Sequence, residues 1–118
     1  MQKKILVVDD ELLIAQGWKM CLELEGFVVD FVLGVKEAIK KIEEREYDLI
    51  ITDLKMPELD GEVLLQYLQE SKLPSKVIIS SGHIGNDDHL EKYEFEKIVE
   101  KPFNIEHEIE AIKELLKD

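Results

Sequence analysis

The chain has 118 residues, enough for one ordinary domain whose core needs no covalent staples. Its 15 lysines and arginines stand against 27 aspartates and glutamates, and the resulting formal charge of −12 disfavours nucleic acid and anionic membrane surfaces as direct partners. The single Cys21 excludes an intramolecular disulfide, no Cys or His spacing suits zinc, and the four apolar residues between Lys3-Lys4 and Asp9 are too few for a signal-peptide core or a membrane span, so a cytoplasmic protein is the default.

The first strand is expected at roughly 4–8, where Ile5-Leu6-Val7-Val8 runs into Asp9-Asp10-Glu11. A helical stripe follows through Ile14, Gly17, Trp18, Cys21 and Leu22, with Gly26 as its stop. Cys21 on that stripe reads as a small buried hydrophobe, since no basic cluster adjoins it to activate a thiol. A second strand at roughly 27–33 leads into a helix marked by Val35, Ala38, Ile39 and Ile42. The third strand, roughly 48–52, runs into Asp53 and a tight connection that ends at Asp60-Gly61. Asp60 can cap a third helix with Leu64, Leu65 and Leu68 facing inward.

The fourth strand, roughly 77–80, ends on Ser81-Gly82. The helix expected next, Asn86 to Tyr93, is weak: Leu90 and Tyr93 are its apolar anchors, and Gly82 and Gly85 loosen its entry. It belongs at the low-stability end of the fold, either as a surface helix or as the part that moves when the site changes state. A fifth strand at roughly 97–100 runs into Lys101-Pro102. Asn104 can cap the last helix, whose stripe is Ile105, Ile109, Ile112 and Leu116. Glu106 and Glu108 suit the positive end of its dipole and Lys117 the other end.

Strands alternating with single helices imply right-handed crossovers. The expected architecture is an α/β doubly wound five-stranded parallel sheet, order 2-1-3-4-5, with five helices on both faces and one domain over 1–118. Its switch point lies between strands 1 and 3, the strands that deliver Asp9, Asp10 and Asp53. All carboxyl ends share one edge, so these three carboxylates should meet Ser81 and Lys101 there.

Three carboxylates in one crevice repel unless a cation intervenes, and a hard divalent ion such as Mg²⁺ relieves them. Asp10 and Asp53 are candidates for direct ligation, Asp9 for ligation directly or through water, and the backbone carbonyl of Lys55 for a further ligand. Asp53 can attack a phosphoryl group and carry it as an acyl phosphate. Mg²⁺ and Lys101 would neutralise the transferring oxygens, and Ser81 would hydrogen-bond one of them. A cis Lys101–Pro102 bond is affordable because it is X-Pro, and it would aim Lys101 inward. Each signal alone has a bland reading: Asp-Asp after a strand usually caps a helix, and Lys-Pro is common in loops. The weight comes from all four appearing in order on successive strand ends.

Val7-Val8-Asp9-Asp10-Glu11, Asp53-Leu54-Lys55-Met56-Pro57 with Asp60-Gly61, Ser81-Gly82 and Lys101-Pro102-Phe103 together resemble a response-regulator receiver domain of two-component signalling, over essentially the whole chain. The resemblance implies a phosphohistidine donor on a sensor histidine kinase or phosphotransfer protein, a Mg²⁺ requirement, and a readout face built from helix 4, strand 5 and helix 5. It implies a signalling phosphoacceptor in a phosphorelay rather than an enzyme, with self-catalysed phosphotransfer and slow autodephosphorylation only. An added phosphoryl group of roughly −1.5 to −2 charge would draw Ser81 and Lys101 inward and bias a two-state packing.

The sequence departs from the family at Ile98, where many receivers place an aromatic three residues before the lysine; Tyr93 and Phe95 are out of that register. Ile98 is expected to pack while the loop before helix 4 carries the change. Lys55 and His83 border the site and are expected to slow hydrolysis by obstructing the in-line water. Two other functions compete. A phosphorylation-independent protein-binding module is disfavoured because every phosphotransfer residue is present. An unrelated metal-dependent phosphatase is disfavoured because no cap domain or separate general acid is on offer. An effector protein, a C-terminal output domain in a longer regulator, and a phosphorylation-dependent dimer all remain open as the means of output.

Overall fold

The computed structural model describes residues 2–54, 61–82 and 88–117. Five strands form the sheet: β1 (Lys4–Val8), β2 (Val28–Val32), β3 (Leu49–Asp53), β4 (Lys76–Ser81) and β5 (Lys97–Glu100). Helices α1 (Leu12–Leu24), α2 (Val35–Glu44), α3 (Gly61–Ser71) and α4 (Ile105–Leu115) connect or follow them. Every strand pair is parallel and the order is β2-β1-β3-β4-β5, as the alternating pattern required.

The strands are buried on both faces, so each contributes alternate residues to two separate cores. Leu6, Val8, Ile50 and Ile79 pack under α2 and α3 with Val35, Ala38, Leu64 and Leu65. Ile5, Val7, Leu49, Ile51, Ile78 and Val99 pack under α1 and α4 with Trp18, Leu22, Ile109 and Ile112. The cores are apolar up to the ends of the strands, where buried Asp9, Thr52, Asp53, Ser80 and Ser81 begin.

Local signals behave as their chemistry dictates. Gly26 ends the α1 connection at φ 95°, a left-handed conformation that glycine adopts without a side-chain penalty. Asn104 caps α4, its side-chain oxygen accepting the His107 N–H at 3.3 Å. Cys21 lies half-buried on the flank of the α1 stripe rather than inside it, because Ala15, Trp18 and Leu22 take the central line. The expected Asp60 cap lies outside the described residues.

The fourth helix differs from expectation. Between β4 and β5 the described residues hold a 3₁₀ segment, Asp88–Lys92, in place of a full α-helix, so four α-helices accompany the sheet rather than five. Leu90 and Tyr93 are buried and three positions apart, a spacing that one 3₁₀ turn satisfies. Tyr93 N–H donates to Leu90 C=O at 3.0 Å. The Tyr93 phenol is pushed above its ordinary pKa by burial and then by its hydrogen bond to Glu62 of α3. Gly85 and Asn86 lie outside the described residues. No helix among the described residues is long and apolar enough to cross a membrane.

Candidate functional site

The carboxyl edge of the sheet gathers the charged strand ends. Lys101 follows β5, and its backbone N–H donates to the Ser81 carbonyl at 2.8 Å, which continues the β4–β5 ladder by one step. The Lys101–Pro102 peptide is cis. From there Nζ lies 2.9 Å from Asp9 Oδ2, 3.0 Å from Asp53 Oδ2 and 2.9 Å from Glu11 Oε2. One ammonium has three donors, and here three carboxylates occupy them.

The two buried acidic partners, Asp9 and Asp53, are each fixed by a nearby backbone N–H. Asp9 Oδ1 accepts the Glu11 N–H at 2.9 Å, and Asp9 N–H donates to Val32 C=O at 3.2 Å. Asp53 Oδ1 accepts the Leu54 N–H at 2.7 Å, while the Thr52 hydroxyl donates to the Asp53 carbonyl at 2.9 Å. Gly61 N–H donates to Leu54 C=O at 2.7 Å, which ties the start of α3 to the residue just after β3. A Cβ at Gly61 would stand 2.0 Å from the Asp53 carbonyl oxygen, so only glycine fits there.

Burial and charge oppose each other in this pocket. Desolvation raises the Asp9 carboxyl above its ordinary value, against the lowering effect of Lys101 and the Glu11 N–H. Burial pulls Lys101 downward, but hydrogen bonds to Asp9, Glu11 and Asp53 outweigh it and hold the ammonium well above the usual lysine range. Asp9, Asp10 and Asp53 each bring a carboxylate oxygen within 4.8 Å of the others. Asp10 is the most open of the three. A donor set of oxygens, without sulfur or imidazole, matches a hard divalent cation.

Four of the expected residues, Asp9, Asp10, Asp53 and Lys101, therefore come together. Ser81 is fully buried at the end of β4 beside them, joined to Lys101 through its carbonyl. Lys55 and His83 lie outside the described residues. Ile98 is half-buried and packs against the α2/α3 core. Sequence reasoning did not assign a role to Glu11, the third acid after β1, or to Thr52, the hydroxyl just before Asp53. The acidic run itself was the available signal for Glu11.

Comparison with known proteins agrees with this geometry. Residues 5–113 match the response regulator receiver domain family. The transcriptional regulatory protein ResD of Bacillus subtilis is 35% identical over 117 residues, covering 98% of this chain and 49% of its own length. The chain thus spans about half the length of that curated relative. Among solved structures, a CheY-like receiver domain protein of Methanospirillum hungatei superposes with a TM-score of 0.91 at 30% identity, covering 98% of this chain and 94% of its own. The response regulator TrrA of Thermotoga maritima, solved in complex with Mg²⁺-BeF, superposes with a TM-score of 0.81 at 32% identity, covering 98% and 100%. The chain belongs to the response regulator receiver domain family of two-component signalling.

Proposed function

We propose that, as a receiver domain, this chain takes a phosphoryl group from a phosphohistidine onto Asp53 and passes the resulting change to a partner. An Asp53 carboxylate oxygen attacks phosphorus, the new O–P bond forms, and the N–P bond of the donor breaks with its electron pair left on the imidazole nitrogen. Lys101, already 3.0 Å from Asp53, meets the negative charge of the transferring oxygens. Asp9, Asp10, Asp53 and the Lys55 carbonyl would hold Mg²⁺. The ion would supply further positive charge to those oxygens when bound. The Mg²⁺-BeF complex of TrrA supports this assignment.

The observation that carries the reading is the meeting of one ammonium with Asp9 and Asp53 beside a three-carboxylate cluster. Ser81 and Lys101 are then drawn toward the new phosphoryl oxygens, and the segment from β4 through β5 to α4 changes its packing. Lys55 and His83 slow hydrolysis of the acyl phosphate. The donor is a sensor histidine kinase or phosphotransfer protein in the cytoplasm. The recipient is an effector protein or output domain.

The test is incubation with phosphoramidate and Mg²⁺, followed by intact mass and peptide mapping. One added phosphoryl group on Asp53, lost in Asp53→Asn and when a chelator removes the metal, is expected. A parent protein of unchanged mass overturns the reading.

A further inference from the structure

Lys101 is anchored on its N-terminal side by the bond from its own N–H to the Ser81 carbonyl. Its reach to Asp9 and Asp53 also depends on where the chain goes next. Two residues on, the Phe103 ring stacks on Trp18 of α1, with ring centroids 5.0 Å apart and planes 30° from parallel. Trp18 is wholly buried. One residue before it, Gly17 leaves room for Ile105: a Cβ at Gly17 would come within 3.3 Å of the Ile105 Cδ1. Gly17 and Trp18 thus form a seat that receives Phe103 and Ile105, on either side of the Asn104 cap.

The indole Nε1 has no hydrogen-bond partner among the described residues. Trp18 is seated by its burial and by the ring contact with Phe103. The same helix is preceded by Asp9 and Glu11, which take two of the Lys101 ammonium donors. The β1–α1 junction contacts Lys101 at its tip, and the helix that it opens seats the chain just beyond.

We infer that Trp18 and Phe103 are positioning residues for phosphoryl transfer: their stack sets where the Lys101 ammonium sits relative to Asp53. The inference rests on the phosphoacceptor reading. A cation displaced by about 1 Å at such a site can lower a rate by about 100-fold, so a partly relaxed seat is expected to cost about tenfold.

Phe103 is only half-buried, so Phe103→Leu is the first variant. It is expected to take phosphate from phosphoramidate onto Asp53 about tenfold more slowly, by intact-mass time course, with unchanged Mg²⁺ affinity by calorimetry. Trp18→Leu should behave likewise, while Trp18→Phe keeps a flat ring and restores most of the rate. Trp18 is the chain's one tryptophan, so its emission reads the seat directly. Emission of the parent is expected to change on adding Mg²⁺ and fluoroberyllate. Parental rates in Phe103→Leu overturn the inference. So does an equal loss of rate and Mg²⁺ affinity, which marks general loosening, or an unchanged emission while phosphoryl uptake is intact. A parent that gains no phosphoryl group overturns the proposed function, and the inference with it.

Discussion

Lys101 Nζ lies 3.0 Å from Asp53 Oδ2 although 48 positions separate them in the chain. The contact exists because β3 and β5 flank β4 in one parallel sheet, so their carboxyl ends open on the same edge. Replacing Lys101 by methionine keeps the length of the stem and removes its charge. Three carboxylates then face one another with no fixed cation. Mg²⁺ should bind at least about tenfold more tightly to Lys101→Met, measured by calorimetry, because a competing positive charge is gone. Phosphoryl uptake at Asp53 should fall all the same. Without divalent ions the variant should lose about 3 kcal/mol of stability, as buried charges losing their partner do.

The alkaline limb of stability carries a second signature. The folded Lys101 value stands above the ordinary 10.5, so the native state keeps a proton that the unfolded chain releases. Its contribution is complete below 10.5 and is lost as pH rises above it toward the folded value. The buried phenols of Tyr47 and Tyr93 are raised too, chiefly by burial, and act in the same direction above 10.0. Denaturant titrations at rising pH should show stability declining past that point, and less steeply in Lys101→Met.

Gly61→Ala separates two effects of opposite sign. In an open helix alanine would stabilise by about 1 kcal/mol relative to glycine. Here its Cβ would fall 2.0 Å from the Asp53 carbonyl oxygen and 2.8 Å from Leu54 Cα, both backbone atoms. Overpacking should win, with a net loss of about 1–3 kcal/mol in thermal or denaturant unfolding. Because the displaced atoms belong to Asp53 and to Leu54 just after it, the variant should also accept phosphate more slowly when still folded.

Asn104→Ala tests the start of α4 apart from the pocket. It removes the side-chain acceptor of the His107 N–H and should cost about 1 kcal/mol. Asn104→Asp should retain the cap. Chemical denaturation of both variants checks the difference.

Much of this was legible in the chain. The five strands announce themselves because a parallel sheet buried on both faces needs continuous Val/Ile runs. The acids stand where those runs stop. Asp9, Asp10, Asp53 and Lys101 could be placed at one edge from topology alone. Glu11 could not, because an exposed carboxylate has no apolar period to fix its direction; it is 58% exposed even when paired. The fourth helix was overextended because two anchors, Leu90 and Tyr93, satisfy a single 3₁₀ turn as well as a longer α-helix. The Trp18–Phe103 stack joins a residue of the α1 stripe to one in the connection before α4, and periodicity within one element does not say what packs on it from another.

The two apolar layers stop one step below the acidic tips, so durability and chemistry occupy different storeys of the same sheet. Asp53→Asn alters the upper storey and removes nothing from the lower. On the proposed function, a copy silenced in that way would persist, keep its outline, and contend with active copies for the phosphoryl donor. Mute variants of this chain should therefore act as competitors rather than as simple absences.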